Sequence, residues 1–356
     1  MDNAEILILL GLLMAIGFIA GAIGEKLGAP RVALYVLVGA LFSNEFLGRF
    51  FDVVGGRWDA LLTDIALSAI AFLLGAEFHL KWLKTKGKTI GYGLAGQFCG
   101  AILFVSIGMI TYCLVCTEPI TWRLAVVLAA IAAATAPAAT VAVIEEYHAR
   151  GPLTQTLFGI VAIDDALAIV AFTIALNLAA SNGRAHEYAR AGIEIGGALV
   201  LGALLGVALG WFGRRIHEEE LRLPVILGFI FVTLGLARHF GLSVLLASIV
   251  LGFVSKLMFR HKTEQWIEPM NHIREAIFVI FFTIAGTHFH APVFVRSLGF
   301  IAAYVLLRTG GKMLGAYAGL RLAGAPAAIR QYAGLALLPQ AGVSIGLALT
   351  AIKTPP

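Results

Sequence analysis

Apolar residues run through this chain in long, nearly uninterrupted stretches, with neither the alternation of a half-buried strand nor the stripe of a surface helix. Twelve segments are predicted: 5–24, 31–47, 60–78, 89–115, 121–144, 153–180, 191–212, 223–239, 242–258, 271–289, 296–320 and 327–352. About 30 Å of hydrocarbon needs roughly 20 apolar residues as a helix. Barrel strands alternate over about ten residues and do not fit these runs. A backbone in lipid must close its own hydrogen bonds, and a helix does so within one segment. The predicted fold class is therefore an all-α polytopic membrane protein. The first run, Ile6 to Ile23, follows Asp2 and Glu5 rather than basic residues and lacks a small-residue cleavage pattern. It reads as a span, not a signal peptide.

Composition agrees with lipid as the solvent. Charged residues make up 13% of the chain and hydrophobic ones 60%, against about 25% charge in ordinary soluble domains. The net charge of +5 lies in short connections, so it speaks for topology and not for nucleic acid. Sixteen basic residues follow odd-numbered spans, with the cluster Lys81, Lys84, Lys86 and Lys88 the strongest group; eight follow even-numbered spans or the last one. The positive-inside rule then puts the N-terminus outside, in a membrane of the bacterial inner-membrane type. Cys113 and Cys116 form a C-x-x-C with no further ligands nearby, which reads as two small apolar residues in a helix.

Two stretches look alike. Gly28 and Gly39 recur as Gly241 and Gly252, and Gly75-Ala76-Glu77-Phe78-His79 recurs as Gly286-Thr287-His288-Phe289-His290, at offsets of 213 and 211 residues. The matched spans, three and ten, cross in opposite directions, so an inverted-topology repeat is predicted. Spans one to six form one copy, span seven is a linker, and spans eight onward form the second. That plan expects thirteen spans, of which twelve are read here; the expected final one is either cut off or absent.

Such repeats bind their cargo at helices broken in matching places. Span five holds Ala134-Thr135-Ala136-Pro137-Ala138-Ala139-Thr140, and span twelve holds Leu338-Pro339-Gln340-Ala341-Gly342. Each proline removes a backbone donor and turns the preceding residue away from helix. Thr135, Ala136, Pro137, Thr140, Pro339, Gln340 and Gly342 are thus candidates to line an ion site. Span six carries Asp164 and Asp165 in the middle of an apolar run. Intramembrane acids cost several kcal/mol and mark ion or proton paths by default. A hard cation needs oxygen ligands, which one carboxylate, freed carbonyls and water supply, and a proton competes for the same oxygens. Asp165 is the candidate ligand of a monovalent cation. Span eleven carries Arg308 and Lys312 on one helix face, as candidate charge partners. Lys312 is expected to pair with Asp164 in the ion-free state; for Arg308 snorkelling and pairing are equally open. Asp64, Glu77, Glu145-Glu146, Glu218-Glu219-Glu220 and the nine histidines sit at loop edges, where solvated roles are commoner.

These residues together resemble the cation:proton antiporter superfamily, in particular the NapA-type sodium/proton antiporters with their germination-linked and KefC-like relatives. The carriers are Asp64 through Phe78, the break at Thr135–Thr140, Asp164-Asp165, Lys312 in Arg308-Thr309-Gly310-Gly311-Lys312, and Leu338-Pro339-Gln340-Ala341-Gly342-Val343. The resemblance implies a thirteen-span fold with a core and a dimer domain, a homodimer, and an elevator movement of the core. The implied segments are 1–88 and 221–290 as dimer scaffold, 89–185 and 291–356 as core, and 186–220 as linker. It implies Asp165 as the principal cation ligand, Asp164 as the acid paired with Lys312, Thr135 as the polar position of the first break, and electrogenic exchange.

The function expected is exchange of a monovalent cation, Na⁺ or Li⁺, for H⁺ across the bilayer, with no cofactor and no enzyme chemistry. A K⁺/H⁺ antiporter or K⁺ efflux protein of the same fold stays open as an alternative, as does, more distantly, an organic-anion symporter.

Overall fold

In the computed structural model the described residues are 3–26, 29, 31–43, 45–47, 57–77, 80–116, 122–136, 140, 144, 148–180, 185–216, 218–259, 263–340 and 342–353. Among them the regular structure is helical throughout. The order is α1 (Asn3–Lys26), α2 (Arg31–Leu41), α3 (Arg57–Glu77), α4 (Leu80–Cys116), α5 (Trp122–Ala133), α6 (Pro152–Ala180), α7 (Ala185–Gly213), a 3-10 turn (Glu219–Leu221), α8 (Arg222–His239), α9 (Val244–Phe259), α10 (Thr263–Thr287), α11 (Ala291–Arg296), α12 (Leu298–Leu322), α13 (Ala327–Ala336) and α14 (Gly342–Lys353). The basic cluster from Lys81 to Lys88, expected between spans, lies instead in the opening turns of α4.

Among the described residues, six stretches are long and apolar enough to cross a membrane on their own: Ala4–Gly24, Trp58–Ala76, Gly87–Val115, Pro152–Ala179, Gly192–Gly213 and Glu219–His239. The α2, α5, α9 and α14 regions are apolar but shorter. Large apolar side chains face outward, among them Leu7, Phe18, Leu204 and Leu306. Asp164, Asp165, Arg308 and Lys312 are buried. Leu and Phe on the surface with ionisable groups buried inside suit lipid, since water-soluble proteins expose such groups.

The helices form two compact units. One comprises Met1–Ala76 and Gly196–Arg296, the other Glu77–Ile195 and Ser297–Pro356. Within the first unit, two helix pairs cross at glycines. A methyl group at Gly39 of α2 would overlap the carbonyl of Thr283 on α10, and one at Gly286 would overlap that of Val36. A methyl at Gly75 of α3 would overlap the carbonyl of Ile249 on α9, and one at Gly252 that of Phe72. Backbones approach this closely only where Cβ atoms are absent. Asp64 of this unit, expected to be solvated, forms an ion pair with Arg238.

The second unit carries both predicted helix breaks. Its spine is the packing of α4 on α12, where Gly96 and Gly100 meet Gly311, Gly315 and Gly319 backbone to backbone. An apolar cluster of Ile90, Leu94, Leu157, Ile160, Val161, Ala316, Leu320, Ala333 and Leu337 joins α4, α6, α12 and α13. Helix α12 ends at Leu322, and Gly324 beyond it has a φ of 75° that permits the amides of Gly324 and Ala325 to donate to the carbonyls of Arg321 and Leu320, at 3.0 Å each. This left-handed helix stop sends α13 back toward the centre of the unit, and α13 delivers the second break.

Candidate functional site

Helix α5 stops at Ala133, and residues 134–136 leave the helical path. Pro137 follows and disfavours helix at Ala136; it, Ala138 and Ala139 lie outside the described residues. Helix α13 stops at Ala336, residues 338–340 are non-helical, and α14 begins at Gly342. Interrupting a helix in lipid exposes carbonyls that must find donors elsewhere. Here each break supplies donors to the other. In an unbroken helix the amide of Ala136 would bond to the carbonyl of Ala132; it donates to Pro339 O instead, at 2.8 Å. The Gln340 side-chain amide donates to Ile131 O at 3.0 Å. The Thr140 hydroxyl donates to Ala336 O at 3.0 Å.

The remaining carbonyls are capped by α12. Arg308 donates to Ala132 O through Nε at 3.1 Å, to Ala134 O through Nη2 at 2.9 Å and to Leu338 O through Nη1 at 2.6 Å. One guanidinium thus ties both breaks together. The sequence offered Arg308 as a charge partner for an acid, or as a snorkelling residue. The structure places it at the C-terminal ends of α5 and α13, where the helix dipoles favour a cation. The planar fork of arginine suits three acceptors in fixed positions.

Lys312, one turn along the same face, is fully buried. Its Nζ donates to Ala134 O at 3.1 Å and to Thr135 Oγ1 at 2.6 Å, and lies 3.5 Å from Asp164 Oδ2. Thr135 passes its own hydroxyl hydrogen to Asp164 Oδ2. The other carboxylate oxygen, Oδ1, accepts from the side-chain amide of Gln97. Donors thus face both carboxyl oxygens of Asp164. Asp165, the next residue of α6, is 3% exposed and points about 100° further round the helix.

Of the residues named from the sequence, Thr135, Asp164, Arg308 and Lys312 share one set of hydrogen bonds, and Ala136, Thr140, Pro339 and Gln340 bond across the same two breaks. Asp165 neighbours Asp164 through the chain, Gly342 opens the helix after the second break, and Pro137 is outside the described residues. Two members were missed. Gln97 of α4 bonds directly to Asp164. Tyr304 of α12 accepts from Gln340 at 3.4 Å. Gln97 had left a signal: a lone amide within the apolar run Gly87–Val115, and polar groups within spans are rarely idle.

An all-helical membrane fold whose buried centre brings an acid pair, a lysine and two interrupted helices together defines an ion-carrying transporter. The chain belongs to the transmembrane sodium/hydrogen exchanger family, matched over residues 11–355. It is 24% identical over 288 residues to the ammonium/H(+) antiporter subunit AmhT of Alkalihalophilus pseudofirmus, covering 78% of this chain and 69% of that protein. Its fold is similar to that of the sodium proton antiporter MjNhaP1 of Methanocaldococcus jannaschii at pH 8, with a TM-score of 0.74, 21% identity, and 99% of this chain and 88% of that one covered. An electron-microscopy map of the same antiporter gives a TM-score of 0.70 at 19% identity, over 99% and 86% of the two chains. The protein is thus a multi-pass membrane antiporter that exchanges cations and protons.

Proposed function

We propose that the protein exchanges a monovalent cation, Na⁺ or Li⁺, for H⁺, with Asp165 as the main cation ligand and Asp164 as its partner. The observation that carries this reading is the buried link from Lys312 through Thr135 to Asp164, placed where the two interrupted helices cap each other. In the arrangement described, the ammonium of Lys312 balances Asp164. A cation entering at Asp165 adds positive charge beside that pair, loosens the hold of Lys312 and drives protons off. In this scheme each cation displaces two protons, one from Asp165 and one from the Lys312–Asp164 pair, and two returning protons restore both. Cation and protons thus exclude each other through charge. One net charge moves in each cycle, so the exchange is electrogenic.

The wider architecture belongs to the same proposal: twelve spans of a thirteen-span inverted repeat, an outside N-terminus in a bacterial inner membrane, a homodimer, and an elevator-type movement of a core that holds Asp164 and Asp165. The glycine crossings support the repeat. The sequence pairs Gly39 with Gly252 and Gly75 with Gly286. In the structure Gly39 packs on Gly286, and Gly252 and Gly75 face each other's helices at one crossing, as expected if a two-fold relation exchanges the copies.

A second reading concerns the cargo. The relative AmhT is named for ammonium, and ammonium is a monovalent cation that carbonyl and carboxylate oxygens can also hold. The test is dissipation of a pH gradient in everted vesicles on addition of Na⁺, Li⁺, K⁺ or NH₄⁺, comparing wild type with Asp165→Asn. Neutral ammonia crosses lipid unaided, so only the difference between the two vesicle preparations reports carrier activity. Wild-type exchange by Asp165→Asn with every cation defeats the assignment of the site.

A further inference from the structure

Helix α3 carries Asp59 in its first turn, and α10 closes at Thr287 with His288 just beyond it. Both belong to the first unit. One oxygen of Asp59 is used by its own helix: Oδ1 accepts from the amide of Ala60 at 2.6 Å. The other, Oδ2, faces His288 Nε2 at 3.6 Å. The second ring nitrogen, Nδ1, lies 3.1 Å from Ile284 O. A carbonyl only accepts, so Nδ1 carries a hydrogen. In a neutral ring Nε2 then turns its lone pair toward a carboxylate oxygen. One further proton makes that contact attractive, because an imidazolium donates from both nitrogens. Charges then alternate along one line: the positive N-terminus of α3, Asp59, the ring, and the negative C-terminus of α10.

We infer that His288 is a proton-binding site outside the transport centre, and that its proton latches the end of α10 to the start of α3. The imidazole is 29% exposed and the acid 11%, so water delivers protons to a ring whose partner is largely shielded. The latch is closed at low pH and opens as the ring loses its charge with rising pH. It stands at the root of the connection between the two units. Ala291, the first residue of α11, donates its amide to Glu45 Oε2 at 2.7 Å, His290 Nδ1 lies 3.5 Å from Glu45 Oε1, and the chain passes into the second unit after Arg296. A proton on His288 therefore adds a second fastening to the turn that Glu45 already holds. Other charged groups come to this end among the described residues. Asp64, further along α3, pairs with Arg238 of α8, beside His239. Glu5 lies one turn outward of Leu9, which packs with Phe42 and Trp58. The latch needs neither a particular cation nor the roles given to Asp164 and Asp165.

The test is a double-mutant cycle on the purified full chain. Thermal midpoints are taken for wild type, His288→Gln, Asp59→Asn and the double variant at about pH 5.5 and about pH 8, the range over which an imidazole changes charge. Glutamine keeps a donor for Ile284 O and stays neutral. The cycle isolates the pair, since every other titrating group is common to all four proteins. A coupling of about 1–3 °C in favour of the wild-type pair is expected at the acid pH, and none at the alkaline one. The sign follows from the charge: the attraction exists only while the ring is protonated, so it is lost as the pH rises. A coupling absent at the acid pH, or no larger there than at the alkaline one, overturns the latch. Nitrogen-15 spectra of histidine-labelled protein in lipid give a second reading that needs only one folded variant. The ring signal missing from His288→Gln, or from His288→Asn where glutamine does not fold, is expected as the Nδ1–H tautomer at about pH 8 and as the doubly protonated ring at about pH 5.5. An Nε2–H tautomer at the alkaline pH, or a ring of the same charge at both, removes the proton site.

Discussion

Lys312 is closer to Thr135 than to the acid it neutralises: its Nζ lies 2.6 Å from the threonine hydroxyl and 3.5 Å from Asp164 Oδ2. The hydroxyl accepts from the ammonium and donates to the carboxylate, so it relays the interaction between the two charges. Thr135→Val keeps the shape and deletes the relay. It leaves a buried ammonium and a buried carboxylate each short of one bond, at about 1–3 kcal/mol per unsatisfied group. Exchange is expected to fall about tenfold or more, while Thr135→Ser retains most of it. Vesicle transport rates compare the pair; equal rates for the two variants would show that the hydroxyl has no part.

Lys312 and Arg308 share a helix face and a charge, and their variants are expected to fail differently. Lys312→Ala removes the cation that balances Asp164. Charge movement on a solid-supported membrane should drop while the ranking of cations is kept. Arg308→Lys keeps a charge but cannot reach three carbonyls in one plane. At least one of Ala132, Ala134 and Leu338 then loses its donor, for a loss of about 2–3 kcal/mol in stability. A lower thermal midpoint of the purified Arg308→Lys protein with charge movement per turnover kept, against lost charge movement in Lys312→Ala, separates clamp from switch. The reverse order would exchange the two roles.

Much of this centre is legible in the sequence because each feature breaks a strong rule. Prolines in apolar runs, adjacent acids in a span and a lysine facing lipid length all cost free energy unless something offsets it, so their presence announces partners. What the sequence hides is which donor meets which acceptor. Arg308 and Lys312 are indistinguishable as letters on one face. Only the directions of the freed carbonyls at Ala132, Ala134 and Leu338 assign the arginine to the backbone and the lysine to the acid. Gln97 carries no charge and breaks no helix, so its signal, one amide in an apolar run, is weaker than theirs although it touches Asp164. The opening of α4 differs from the expected connection for a related reason: Lys81, Lys84 and Lys86 lie before the apolar span, which starts at Gly87, but lysine is a good helix former, and the helix begins ahead of them.

The crossing of α4 and α12 sets where Gln97, Arg308 and Lys312 stand, and it depends on absent side chains. A methyl at Gly315 would overlap the carbonyl of Gly96, and one at Gly100 would overlap that of Gly311. Neither obstacle is a flexible side-chain tip, so the helices must separate. Gly315→Ala is expected to cost about 1–3 kcal/mol and to depress transport more than folding, since the acid and its donors move apart. Gly310→Ala, two residues before Lys312, meets nothing within 4 Å and serves as the matched control. Wild-type transport by Gly315→Ala would mean that the spacing of these helices does not set the site.

The remaining prediction concerns the repeat itself. If a two-fold relation links the halves, Gly39 and Gly252 occupy equivalent places, and so do Gly75 and Gly286. Alanine at any of the four drives a Cβ into a carbonyl of the facing helix, and overpacking of this kind costs about 1–3 kcal/mol. Equivalent surroundings should make the costs of Gly39→Ala and Gly252→Ala alike. The double variant Gly39→Ala with Gly286→Ala strikes one crossing twice, and its effects should couple because the two methyls share a single gap. Gly39→Ala with Gly252→Ala strikes two separate crossings, and its effects should add. Thermal unfolding of the four single and two double variants in detergent measures this. Additivity within one crossing together with coupling between the two would remove the structural basis for the repeat.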